Sequence, residues 1–75
     1  MPLVTVKLIE GVLTPAQKQE MIRRLTDAML SIEGEAMRSV MLVVIQEVKG
    51  GDWGMGGLPL TVNDVRALAG GKPGE

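Results

Sequence analysis

A nearly continuous apolar run near the middle of the chain constrains the fold more than any other feature. Residues 40–48 read VMLVVIQEV, in which six apolar side chains come in succession before Gln46. A short run without polar alternation is typical of a strand that is buried on both faces of a sheet. The chain has only 75 residues, so it has little else with which to cover such a strand.

The segment before this run predicts a strand followed by a helix. Leu3–Ile9 has the period-2 spacing and β-branched residues of a strand. Thr14 can cap a helix, Pro15 suits its first position, and Gln17 completes a capping box. Gly34 then ends the helix. The apolar residues that recur at spacings of three and four are Met21, Ile22, Leu25, Ala28, Met29 and Ile32.

Strand, helix and buried strand in this order predict a βαβ unit with parallel strands and a right-handed crossover. The expected fold class is α/β (α+β), a β-α-β protomer with a short C-terminal hairpin and helix. Two strands and one helix leave one sheet face bare, and an isolated two-stranded sheet is marginally stable. The chain has no Cys for a disulfide staple. We therefore expect the bare face to meet another subunit.

The last third of the chain predicts small elements. Residues 50–57, GGDWGMGG, predict a turn or short hairpin that presents Trp53. A dinucleotide loop is excluded because Pro59 stands where the third Gly is needed, and a P-loop lacks its Gly-Lys-Ser/Thr. Residues 61–68 predict a short capped helix, and residues 69–75 a flexible tail. We expect one domain over residues 1–75.

Composition excludes several classes of function. The net charge is −1 and Trp53 is the only aromatic residue, so the basic stripe and stacking aromatics of nucleic-acid binding are missing. No apolar run is long enough for a membrane span and no signal peptide is present, which predicts a cytoplasmic protein. The sequence has neither His nor Cys, so we expect no metal site.

Pro2 is the candidate catalytic residue. It directly follows Met1, and Met aminopeptidases usually expose a small residue in this position. The exposed Pro2 would carry a free secondary amine at the start of a strand. Burial lowers the pKa of an amine, so this group could act as a general base at neutral pH. If Met1 were retained, the Pro2 nitrogen would be a tertiary amide and could not act as a base.

Taken together, residues 2–57 resemble the 4-oxalocrotonate tautomerase family. The resemblance rests on the Met1-Pro2 start, the strand ending in LIEG, the Gln17-Lys18 helix start, the strand from Ser39 to Glu47, and the turn DWGMGG. It implies a homohexamer, a trimer of dimers, that uses no metal or organic cofactor. It also implies that Pro2 moves a proton between an oxygen and a carbon of a small enol. The best-known substrate is 2-hydroxymuconate, from catechol meta-cleavage.

The resemblance also assigns pocket residues. Trp53 matches the aromatic wall of the family's pocket, and Ile9 matches a position whose backbone contacts substrate. These two residues and neighbouring-subunit residues are expected to make an apolar surround for Pro2. Val12 and Leu42 stand where the best-known members place arginines. Met41 is the alternative to Leu42 if the register slips by one.

These two departures change the expected substrate. An aliphatic side chain cannot hold a carboxylate in the bidentate manner of arginine. A dicarboxylate substrate is therefore not expected, and Leu42 becomes a candidate pocket wall. Arg38 is a candidate substrate contact that could supply charge from another direction, and Arg24 and Lys7 are further sources of charge.

Three functions remain open at this point. The first is a Pro2-dependent tautomerase acting on a keto-enol compound less charged than a dicarboxylate. In the second, Pro2 activates water for addition to, or dehalogenation of, an unsaturated acid. In the third, the chain is a non-catalytic subunit that pairs with a paralogue carrying the arginines.

Overall fold

The computed structural model describes residues 2–70, so residues 71–75 of the predicted tail lie outside the described residues. The main unit consists of β1 (Leu3–Ile9), α1 (Pro15–Glu33), a 3-10 segment (Glu35–Val40) and β2 (Leu42–Val48). The C-terminal part consists of β3 (Trp53–Met55), β4 (Leu58–Leu60) and α2 (Val62–Leu68). The predicted β-α-β protomer with a C-terminal hairpin and helix is confirmed.

The central sheet has one covered face and one bare face. β1 and β2 are parallel, with Leu3 opposite Leu42 and Ile9 opposite Val48. α1 packs against β2, and side chains alternate between the two faces along each strand. Leu3, Leu42 and Val44 share the other face and are 58%, 46% and 42% exposed. Burial of β2 on both faces is therefore not achieved within one chain, because α1 covers only one face of the strand.

The predicted helix start is confirmed in detail. The Thr14 N–H donates to Gln17 Oε1 at 2.8 Å, and the Gln17 N–H donates to Thr14 Oγ1 at 3.1 Å. These two bonds satisfy backbone donors that have no partner within the helix. Gly34 ends α1 with φ +102°, and its N–H donates to the Leu30 carbonyl.

The second strand begins later than the apolar run suggests. Residues up to Val40 form the 3-10 segment, and pairing starts where the Leu42 N–H donates to the Pro2 carbonyl at 3.1 Å. The ladder with β1 covers Leu42–Val48 and leaves Val40 and Met41 outside it. Apolar character alone cannot show where a strand's neighbour begins.

The buried side of α1 also differs from the predicted set. Leu30, which was not in that set, is only 4% exposed, whereas Ile22 is 38% and Ile32 is 87% exposed. Spacing along a helix identifies an apolar side, but it cannot show which side the following segment covers. Here the 3-10 segment packs back onto α1.

Within residues 2–70, only Ile9 and Leu30 are buried. Several other large apolar side chains are exposed: Leu3, Ile22, Ile32, Leu42, Val44, Met55, Leu58 and Leu68. Exposed apolar area on this scale is typical of interaction surfaces. No helix in the described part of the chain is long and apolar enough to cross a membrane.

Candidate active site

Pro2 is held at the start of the sheet. Its carbonyl accepts the Leu42 N–H, so the first rung of the β1–β2 ladder fixes its backbone. Pro2 is half-buried, and it lies next to Leu3 and Leu42 at the edge of the bare face. The structure thus brings Leu42, a candidate pocket wall, directly beside Pro2.

Ile9 and Trp53 meet at the opposite end of the same strand. They line a cavity of about 280 Å³ between the end of β1, the start of α1, the hairpin and α2. Ile9 is 7% exposed, and the Trp53 indole Nε1–H donates to the Val48 carbonyl at 3.4 Å. The remaining lining residues are Lys7, Leu8, Val12, Leu13, Met21, Leu60 and Val65. The cavity is apolar except for Lys7.

Pro2 and this cavity are far apart within one chain. They lie at the two ends of a seven-residue strand, which spans about 20 Å. A substrate in the cavity therefore cannot reach the nitrogen of the same chain's Pro2. Ile9 and Trp53 can surround a Pro2 only if that Pro2 belongs to another copy.

Arg38 lies away from the cavity in a surface ion cluster. Its guanidinium donates to Asp27 at 3.0 Å and to Glu35, and the side chain is half-exposed. These hydrogen bonds raise the pKa of Arg38, with the Glu35 bond the larger cause. Arg24 is likewise paired, with Glu20 at 3.1 Å. Of the three basic side chains considered from sequence, only Lys7 lines the cavity.

The loop between β1 and α1 forms one wall of the cavity and is held at several points. Gly11 adopts φ +81°, a left-handed conformation that favours glycine. Arg66 Nη2 of α2 donates to the Gly11 carbonyl at 2.7 Å. Glu47 of β2 pairs with Lys18 of α1, which lowers the pKa of Glu47. Val12, the aliphatic residue in place of an expected arginine, is thereby fixed against the cavity.

Sequence reasoning missed the contribution of the C-terminal elements to this site. Leu60 of β4 and Val65 of α2 close the cavity, and Arg66 contacts its loop. Their spacing carries no signal, because the contact depends on how the hairpin folds α2 back onto β1. Among residues 2–70, no three acidic side chains cluster closely enough to hold a metal ion.

The family follows from a sequence profile described as "Tautomerase enzyme", which matches residues 2–63. The chain belongs to the tautomerase family. A probable tautomerase of Ralstonia nicotianae is 44% identical over 59 residues, which are 79% of this chain and 81% of that protein. The residues matched by the family profile include Pro2, β1, the cavity loop and Trp53, and they end before Arg66.

Solved structures of tautomerases share the fold. A 4-oxalocrotonate tautomerase isozyme from Methylibium petroleiphilum is 36% identical with a TM-score of 0.70, covering 77% of this chain and 90% of that one. A 4-oxalocrotonate tautomerase homologue is 34% identical with a TM-score of 0.70, covering 77% of this chain and 89% of the other. The resemblance in sequence thus extends to the three-dimensional structure.

Proposed function

We propose that this chain is a keto-enol tautomerase whose general base is the secondary amine of Pro2, freed by removal of Met1. The observation that carries the proposal is the hydrogen bond from the Leu42 N–H to the Pro2 carbonyl. It fixes a potential base at the end of a strand in a chain of this family. Preorganisation of this kind is what a positioned proton acceptor needs.

The proposed reaction moves one proton. The Pro2 amine takes the hydroxyl proton of an enol as the carbonyl double bond forms. A proton is then returned to carbon, at the far end of the double bond or of the conjugated system. The product is the isomeric ketone, and the amine ends the cycle unprotonated, so no redox partner or co-substrate is needed.

The proposed site forms between copies of the chain. Each cavity lies about 20 Å from its own Pro2, and the apolar residues Leu3, Leu42 and Val44 of the bare face need a cover. A second copy meets both requirements if it brings its own Pro2 to the cavity and covers the bare face. The proposed assembly is a homohexamer, built as a trimer of dimers.

The proposed substrate is an enol with no more than one carboxylate. Val12 lies against the cavity and Leu42 beside Pro2, and neither side chain can pair with an anion. A second carboxylate would lose its solvation in this site, and the aliphatic side chains at positions 12 and 42 offer it no charged partner. That loss is unfavourable by a few kcal/mol for a partly buried ion.

The substrate proposal predicts a preference in rates. Phenylenolpyruvate should be ketonised with a kcat/KM at least about tenfold above that for 2-hydroxymuconate, the equivalent of one missing charge-assisted hydrogen bond. Ultraviolet assays on protein shown by mass spectrometry to lack Met1 measure both rates. Val12→Arg is the matched variant and should raise the rate with 2-hydroxymuconate selectively. A wild-type preference for the dicarboxylate would contradict the proposal.

A further inference from the structure

The cavity beside Trp53 suits the apolar part of a small ligand. Its volume of about 280 Å³ is close to the lower limit of small-molecule sites, roughly 300 Å³. Apart from Lys7, its walls are aliphatic and thioether side chains and one indole ring. A flat or branched apolar group of modest size would bury most of its surface here.

A cationic group contacts the loop that forms one wall of this apolar space. Arg66 directly follows Val65, which lines the cavity, and its Nη2 donates to the carbonyl of Gly11, which directly precedes the lining residue Val12. The guanidinium therefore lies against the β1–α1 loop, outside the set of residues that line the cavity itself. Arg66 is half-buried, and its position is set by this contact.

The Arg66 guanidinium has N–H donors that the bond to Gly11 does not use. The bond to Gly11 uses one N–H, and a guanidinium has several in a planar fork that suits a carboxylate. Within residues 2–70, Arg66 forms no ion pair, whereas the other three arginines are all paired with Asp or Glu. A half-buried arginine with open donors beside an apolar cavity is suited to hold an anionic group.

The loop that positions Arg66 is itself restrained. Gly11 is held in the left-handed region at φ +81°, and it lies close to Val62 on α2. Glu47 is linked to Lys18 on one side, and the Gly11 backbone also lowers the pKa of Glu47. Because the loop is fixed before a ligand arrives, binding does not have to order it.

We infer that this cavity binds a monocarboxylic acid with a small apolar body, with its carboxylate on Arg66 and its body against Trp53. The inference deepens the proposed function, on which it rests for the reaction, by naming the substrate class of the same site. Lys7 also lines the cavity, but no contact within the described residues holds its ammonium group in place.

Fluorescence of Trp53, the single Trp of the chain, gives a binding test that does not depend on catalysis. The probes are 3-phenylpropanoate and its neutral analogue 3-phenylpropanamide. Wild-type protein should bind the acid about tenfold more tightly, since a charge-assisted hydrogen bond contributes on that order. Arg66→Met should remove this preference while leaving the affinity for the amide unchanged. Arg23→Met, a loss of the same charge on the exposed side of α1, should change neither affinity.

Several outcomes would overturn the assignment. Equal affinity of wild-type protein for acid and amide would show that the site does not select an anion. A preference that survives in Arg66→Met but disappears in Lys7→Met would assign the anion to Lys7 instead. If α2 merely undocked, both probes would weaken equally, which also contradicts the inference. If Arg66→Met did not fold, the acid-over-amide preference would be compared between wild-type protein and Arg66→Gln. Loss of the preference in Arg66→Gln would support the Arg66 site, and an unchanged preference would overturn it.

The same titration separates this inference from the proposed function. Pro2→Ala should keep the preference for the acid even if its catalytic rate collapses, because Pro2 does not contact the carboxylate. Selective acid binding without any tautomerase activity would refute the proposed reaction and support the Arg66 site. Tautomerase activity without selective acid binding would support the proposed reaction and refute the Arg66 site.

Discussion

Pro2→Ala is expected to lower kcat/KM for phenylenolpyruvate ketonisation by about 100-fold or more, the usual contribution of a positioned general base. The new N-terminal amine would be primary and would lack the ring that restricts its orientation. The backbone of residue 2 would still accept the Leu42 N–H, so the sheet should form normally. Steady-state kinetics on both proteins, each shown to lack Met1, measure the effect.

Pro15→Ala is the matched control for this substitution. Pro15 opens α1 and is exposed, and its ring contributes nothing to the amine at the start of β1. Its rate should stay within about twofold of wild type, as is usual for surface changes. If Pro2→Ala matched wild type on every enol tried, the assignment of Pro2 as base would be wrong.

Val44→Lys is expected to break the assembly and abolish activity. Val44 lies on the bare face of the sheet, 42% exposed in the single chain. A charge buried there in an interface would be unfavourable by several kcal/mol. The protomer should still fold, because the new side chain can extend into water. Since the cavity and Pro2 of one chain are about 20 Å apart, the dissociated chain should show almost no tautomerase activity.

Native mass spectrometry and the enol assay together test this expectation. Gln19→Lys adds the same charge on the exposed side of α1 and should leave both assembly and rate unchanged. Circular dichroism shows whether each variant keeps its fold. An active monomer would mean that the site is complete within one chain. An intact, fully active assembly of Val44→Lys would mean that the bare face is not the interface.

The parts of the fold that were predictable are those with local signals. Thr14 and Gln17 specify a helix start within four residues, and the glycines around Trp53 specify a hairpin. The beginning of β2 was not predictable in the same way, because it depends on where Pro2 and β1 lie in space. The burial of Leu30 likewise depends on tertiary packing and not on spacing along the helix.

The candidate site was partly predictable for the same reason. Pro2, Ile9 and Trp53 could be chosen as separate residues from the sequence and the family resemblance. The predicted strand Leu3–Ile9 already puts Pro2 and Ile9 at its two ends, whereas the location of Trp53 beside Ile9 became evident only from the folded hairpin. The contact of Arg66 with Gly11 joins residues from opposite ends of the chain, so no local pattern could indicate it.

In the proposed assembly, Pro2 of one copy acts on a substrate held in the Trp53 cavity of another. Co-expression of Pro2→Ala chains with Trp53→Glu chains tests it most directly, because each parent assembly should be nearly inactive. In mixed assemblies from equal amounts, about a quarter of the sites would combine a native Pro2 with a native Trp53. We therefore predict recovery of about a quarter of the wild-type rate. A mixture no more active than the mean of its two parents would contradict a site shared between copies.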